Sequence, residues 1–255
     1  MPRVDERVLL FMHIAKTGGT SVRRLLASAY RDEERAFVYD RADLRGAMSR
    51  EELAELPEDA RARLRLVMGH FPFGIHGALG RPFRYVTIVR DPVERVVSLY
   101  YHYLHLRGLR RDGRAREEQA LLRRTTMSLE DWVFGQQRLA VDNGMTRNVA
   151  GRRRVRFGEC PGDMLDEAIE HIDQRFAAVL VTEDLERSRP LLEAITGRHI
   201  GEMRRDNVNR KRLPLEAIEP RVLERIRRLN RLDVRLHELA RERAAASWHR
   251  EAAAS

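Results

Sequence analysis

The chain is most constrained near its start, where the run Val8-Leu-Leu-Phe-Met12 is apolar at every position and passes into His13-Ile-Ala-Lys-Thr-Gly-Gly-Thr-Ser21. A strand-length run without polar alternation suits a parallel strand buried on both faces, and the glycines mark the turn that ends it. Beyond the turn, Val22, Leu25, Leu26 and Ala29 recur at helical spacing, with Thr20 or Ser21 placed to cap the helix. Strand, glycine loop and helix in that order predict an α/β fold, a central parallel sheet flanked by helices. Such sheets bind ligands at the carboxyl ends of their strands.

Later segments follow the same alternation. The polar stretch 32–65 predicts short surface helices, with a capping box at Ser49 and Glu52 and a turn at Pro57. The runs 66–69 and 85–89 read as second and third strands, delivering Gly69-His70 and Arg90-Asp91-Pro92. Asp91 as cap and Pro92 at the first helical position open a helix striped with Val93, Val96, Val97, Tyr100, Tyr101 and Leu104. The arginine-rich stretch 107–124 reads as a surface loop or exposed insertion, and Ser128 opens a short helix through Trp132. A helix over 163–174 turns Leu165, Ile169 and Ile172 inward, residues 176–182 form a fourth strand, and a helix follows over 184–195. One C-terminal helix starts near Pro220, carries Val222, Ile226, Leu229, Leu232, Leu236 and Leu239, and frays over 244–255. With no repeat and no linker, residues 1–255 read as a single domain.

Composition narrows the function. Hydrophobic residues are 43% of the 255 and charged residues 34%, which describes a globular chain. Its apolar runs fall far short of the roughly 18 residues of a membrane span. Asp5, Glu6 and Arg7 interrupt the N-terminus before a signal-peptide core can form. A lone cysteine, Cys160, excludes an internal disulfide and a cysteine-based zinc site, and no other cluster has metal-ligand spacing. These features predict a cytoplasmic protein without a metal. The net charge of +9 admits anionic partners, yet only Lys16 and Lys211 among 48 basic residues are lysine. Arginine spread so evenly reflects compositional bias as readily as polyanion binding, whereas a lysine in the glycine loop stands out.

That loop carries the strongest chemical signal. Gly18 and Gly19 allow a ligand close to the backbone, the helix start contributes a positive dipole, and Lys16, Thr17, Thr20 and Ser21 add donors. It is not a Walker A loop, because its lysine precedes the glycines. Arg90 and Ser98 supply a guanidinium fork and a hydroxyl suited to a second phosphate. His70, directly after a strand, is the candidate general base, since a neutral imidazole is available near neutral pH. His13 reads as a packing residue, while His76, His102 and His105 are second candidates toward the acceptor. Asn143, Thr146 and Arg147, in the polar stretch 142–147, are candidates to line an acceptor cleft or to form a capped turn.

A strand ending in HIxKTGGTS, paired with a later strand ending in RDPxxRxxSxY, resembles the sulfotransferases that use 3′-phosphoadenosine 5′-phosphosulfate. The resemblance spans about Val8 to Leu239 and is closer to the carbohydrate branch that includes heparan and uronyl 2-O-sulfotransferases and bacterial relatives. It implies a P-loop-like nucleotide-binding sulfotransferase fold. It also implies that Lys16, Thr17, Gly18, Gly19, Thr20 and Ser21 grip the 5′-phosphosulfate and that Arg90 and Ser98 hold the 3′-phosphate. The basic stretch 205–212 matches a loop that approaches the nucleotide through Asn209, Arg210 and Lys211; by residues alone it is equally a solvated charge run. Ala15 departs from the family's usual proline. Catalysis would fall to His70 and Lys16, with adenosine 3′,5′-bisphosphate as product and a carbohydrate-like or glycolipid-like hydroxyl as acceptor. The competing readings are a kinase with a variant phosphate loop, which lacks a Walker motif, and a basic nucleic-acid or polyanion binder, which lacks a recognition motif.

Overall fold

The computed structural model describes residues 7–39, 47–109, 127–202 and 212–253. Its core is a six-stranded, wholly parallel sheet in the order β3-β2-β4-β1-β5-β6. The strands are β1 (Val8–Met12), β2 (Arg35–Tyr39), β3 (Ala47–Met48), β4 (Leu66–His70), β5 (Phe83–Val89) and β6 (Phe176–Val181). The expected central parallel sheet is therefore present. Register sets Leu9 beside Leu66 and Arg84, and carries Met12 to Gly69 on one side and Thr87 on the other.

β1 shows why a continuous apolar run was needed. Leu9 and Phe11 pack on one face with Val22 and Leu26 of α1 (Gly19–Ala29) and with Leu192 and Ile195 of α8 (Arg189–Thr196). Val8, Leu10 and Met12 pack on the other, with Met164, Ala168 and Ile172 of α7 (Asp163–Arg175) and Leu232, Leu236 and Ala240 of α10 (Arg231–Ala253). Side chains alternate across a strand, so both parities must be apolar when both faces are covered. Each fully buried side chain of this kind contributes about 1.5–3 kcal/mol. A third cluster joins Val93, Val96 and Val97 of α4 (Pro92–Leu109), Trp132 and Val133 of α5 (Leu129–Gly135), and Val222 and Ile226 of α9 (Pro220–Leu229).

Several local expectations hold in detail. The Ser49 hydroxyl accepts the Glu52 N–H at 3.1 Å while the Glu52 carboxylate accepts the Ser49 N–H at 2.6 Å, opening α2 (Arg50–Ala54) ahead of α3 (Glu58–Arg63). The Asp91 carboxylate accepts the Glu94 N–H at 2.8 Å at the start of α4. Others change. β2 and β3 fall within the stretch read as surface helices, because their apolar runs are short and bounded by charge. α1 is capped by Gly18 in a left-handed conformation, not by a Thr20 or Ser21 side chain. In α7 the inward line is Met164, Ala168 and Ile172, with Leu165 at its margin. Pro190 begins α8 rather than lying inside a longer helix, and residues 182–188 form 3-10 turns.

The C-terminal helix is two helices. Asn230 ends α9, and its side-chain amide donates to the carbonyls of Val141 and Ile226, each at 2.8 Å. Such side-chain competition with the backbone ladder is a known way for asparagine to interrupt a helix. α10 then continues to Ala253, through residues expected to fray. Most of the arginine-rich stretch 107–124 lies outside the described residues. No helix among those described is long and apolar enough to cross a membrane.

Candidate active site

The ordering of strands decides where a site can form. β1 sits between β4 and β5, so the loops leaving these three strands meet at the point where the chain reverses its progress across the sheet. Lys16 stands after β1, His70 ends β4 and Arg90 follows β5.

The loop from β1 to α1 is bent tightly. Lys16 adopts φ +71° and Gly18 φ +76°, both left-handed. A non-glycine residue in that region is strained, and such strain collects at ligand sites held by their surroundings. The surroundings here are specific. The Thr17 hydroxyl donates to the Ile14 carbonyl at 2.8 Å, and the Thr182 hydroxyl lies 2.7 Å from the Thr17 carbonyl and 2.9 Å from that of Val89. At Gly19 a Cβ would stand 2.3 Å from the His13 ring, so only glycine lets α1 begin there. Ser21 at the start of α1 is buried, while Thr20 beside it and Ser98 on α4 are half-buried.

Lys16 makes no ion pair among the described residues, and burial followed by the nearby Arg90 charge pushes its ammonium below the ordinary lysine value. Arg90 reaches across to the loop, donating from Nη1 to the Lys16 carbonyl at 3.3 Å and from Nη2 to Glu94 at 2.9 Å. Burial pulls Arg90 below its ordinary value, and Glu94 opposes that pull. Glu94 also accepts from Arg212 at 2.6 Å. One step further, Glu183 accepts the Asp91 N–H at 3.0 Å and pairs with His237 at 3.2 Å.

On the β4 side, His70 Nδ1 lies 2.6 Å from the His13 carbonyl. A carbonyl only accepts, so in the neutral ring Nδ1 carries the proton and Nε2 the lone pair. The rings of His13 and His70 stand 4.4 Å apart, and the Tyr39 ring meets His70 edge-on at 5.1 Å. Arg23 of α1 hydrogen-bonds the Tyr39 hydroxyl. His13 is buried, and that burial, reinforced by the charges of His70, Arg23 and Lys16, lowers its pKa to about 3.

The acceptor-side candidates fare differently. Asn143, Thr146 and Arg147 lie at and within the short helix α6 (Gly144–Val149), and all three are buried. Asp233 accepts the Thr146 N–H at 2.7 Å and its hydroxyl at 2.8 Å, Asn143 accepts the Leu232 N–H at 2.8 Å, and Arg147 pairs with Asp142. Their polar groups are engaged inside the protein, which corrects the expectation that they line a cleft. Polar density that looked like a binding surface is a satisfied interior network. His102 is exposed on α4. His76 instead bonds the Tyr85 hydroxyl at 2.9 Å at the opposite, amino end of β5. Asn209, Arg210 and Lys211 lie outside the described residues. Thr182 and Glu94 were not anticipated, and Arg212 was included only as the end of the basic stretch 205–212; the one sequence signal for Thr182 is a hydroxyl directly after a buried strand.

A family model described as the sulfotransferase family matches residues 3–240. The chain belongs to the sulfotransferase family. Among solved structures it is similar to a sulfotransferase from Alicyclobacillus acidocaldarius, with 15% identity over 92% of this chain and 96% of that one and a TM-score of 0.47. No curated protein matches the sequence. Among the described residues of this sulfotransferase, no group of three or more histidine, cysteine or carboxylate side chains stands together as a metal site.

Proposed function

We propose that this sulfotransferase moves the sulfuryl group from 3′-phosphoadenosine 5′-phosphosulfate to a hydroxyl of a carbohydrate-like acceptor. The observation that carries the reading is the contact of Arg90 with the Lys16 carbonyl, which brings the two motifs suited to anions onto one edge of the sheet. The residues fit a ligand with two anionic ends: a strained glycine loop with a lysine that makes no ion pair among the described residues at one end, and the Arg90 guanidinium at the other, with Ser98 half-buried on the helix that follows it.

In this reading Lys16 stabilises charge on the oxygen that leaves sulfur, and His70 Nε2 takes the proton of the attacking hydroxyl. The acceptor oxygen–sulfur bond forms as the bridging oxygen–sulfur bond breaks, and adenosine 3′,5′-bisphosphate leaves. Positioning and fixed charge supply most of the rate, as in phosphoryl transfer. The strand order supports a division of labour, with the donor across β1 and β5 and the acceptor toward β4 and β2, beside His70, Tyr39 and Arg23.

Thermal stabilisation by adenosine 3′,5′-bisphosphate, with ADP and ATP in parallel, tests the donor. At a hundred times its dissociation constant a ligand adds about 2.7 kcal/mol, well within reach of a melting curve. The bisphosphate is expected to stabilise strongly, and Arg90→Ala to lose that shift. Lys16→Ala is expected to abolish transfer with the fold intact, and His70→Ala to lose at least roughly a hundredfold in rate at little change in donor affinity. Stabilisation by ATP alone would favour a kinase, and no nucleotide response would end the donor reading.

A further inference from the structure

Arg90 and Arg212 lie far apart in sequence, yet their guanidinium groups converge on a single oxygen, Glu94 Oε2, at 2.9 and 2.6 Å. Both are largely withdrawn from solvent, with 21% and 16% of their side-chain surface exposed, while Glu94 keeps 31%. Glu183 adds a second carboxylate whose charge reaches Arg90 and Lys16 a third cation beside it, so the partly dry site keeps an excess positive charge. Arg90 has no idle terminal nitrogen either, since Nη1 is on the Lys16 carbonyl and Nη2 is on Glu94.

We propose that Glu94 is the resident counter-ion of the donor's 3′-phosphate seat, occupying Arg90 and Arg212 until the phosphate displaces it. The inference rests on the reading of Arg90 as that seat. A phosphate monoester carries about −1.5 to −2 charges near neutral pH, so it matches the two guanidiniums better than one carboxylate does. Glu94 sits four residues after Arg90, in the first turn of α4, and its exposed flank gives the carboxylate a way out into solvent. Because it is tethered beside the seat, it competes at high effective concentration and recaptures both arginines when product leaves. Glu94 thus lowers affinity for the bisphosphate and hastens its release. A ligand with only a 5′-phosphate leaves the carboxylate where it is. Arg212 becomes a binding residue of the seat beside Arg90.

The opposing possibility is that Glu94 orients Arg90 for the phosphate, in which case its loss weakens binding. Glu94→Gln separates the two, because it keeps an oxygen to accept from Arg90 and removes the charge. Titration calorimetry on the full chain would compare adenosine 3′,5′-bisphosphate with adenosine 5′-monophosphate, for wild type, Glu94→Gln and Glu94→Ala. Removing a half-exposed charge competitor should tighten the bisphosphate by roughly threefold to tenfold, leave the monophosphate unchanged and slow bisphosphate dissociation in stopped flow. Unchanged or weaker bisphosphate binding in both variants overturns the proposal and leaves the donor reading standing. Equal tightening of both nucleotides also overturns it, since that is a general field effect. If wild type binds the bisphosphate no better than the monophosphate, the donor reading itself falls and the inference with it.

Discussion

His13 occupies the seam between the glycine loop and the candidate base. Its carbonyl holds His70, its ring blocks any side chain at Gly19, and its own Nδ1 is buried without a hydrogen-bond partner among the described residues. An imidazole in that position is tolerable only while neutral, because burial disfavours a charge there and that charge would also face His70, Arg23 and Lys16. The consequence for stability has a definite sign. The folded-state pKa of about 3 lies below the ordinary 6.5, so the unfolded chain takes up the proton first as pH falls. Stability from this site is complete above about pH 6.5 and is lost progressively toward about pH 3. The expected slope is at most about 1.4 kcal/mol per pH unit. Urea denaturation of wild type and His13→Phe at pH 7.5 and pH 4.5 reads it directly. The variant should show a shallower acid loss than wild type; identical slopes would mean that His13 does not titrate in this way.

At the scale of elements, the joint between β1 and α1 depends on a missing atom. A Cβ at Gly19 would stand 2.3 Å from His13 Cδ2 and 2.6 Å from Nε2, and the His13 ring is itself backed by His70 and Phe11. Gly19→Ala should therefore cost about 1–3 kcal/mol, the usual range for overpacking, and weaken bisphosphate binding by moving the loop. A melting curve and a titration that both match wild type would show that the joint gives way easily.

The same joint was legible in the sequence, and the reason is physical. β1, β4 and the second part of β5 are buried deeply enough to favour long apolar runs, β6 at the sheet's edge shows one although only its end is buried, and Lys16, His70 and Arg90 each follow or close such a run. β2 and β3 lie toward the sheet's outer side, where short runs suffice and neighbouring charge hides them. The break at Asn230 was hidden because Leu229 and Leu232 keep helical spacing across it. The contacts of Glu94, Arg212 and Thr182 were not legible, although Arg212 closes the basic stretch 205–212 and Thr182 follows a buried strand, since each contact forms only when distant segments meet.

For the molecule as a whole, the C-terminal helix α10 is tied to the candidate active-site edge through His237 and Glu183 and, deeper in, through one buried carboxylate. Asp233, fully enclosed, accepts the N–H groups of Met145 and Thr146 and the Thr146 hydroxyl, and lies 3.5 Å from the buried Arg95 guanidinium. Met145 in turn places its sulfur 3.4 Å from the Arg90 N–H. The third sequence cluster, the polar stretch 142–147, thus serves as a keystone between α4, α6 and α10 rather than as a ligand surface. Asp233→Ala removes the acceptor for two backbone donors and strips Arg95 of its counter-charge inside the protein. Breaking a buried pair from one side typically costs about 3–5 kcal/mol, because the remaining charge stays enclosed. Asp233→Asn keeps an oxygen for the Thr146 N–H and should cost less. Urea unfolding midpoints should fall in the order wild type, Asn, Ala. If Ala unfolds with wild type, the Asp233 network is incidental, and α10 is held by the apolar packing of Leu232, Leu236 and Ala240 and by contacts such as His237 with Glu183. If the order holds, the C-terminal helix is part of what keeps Arg90 in position, and its loss would be felt at the proposed donor site as well as in stability.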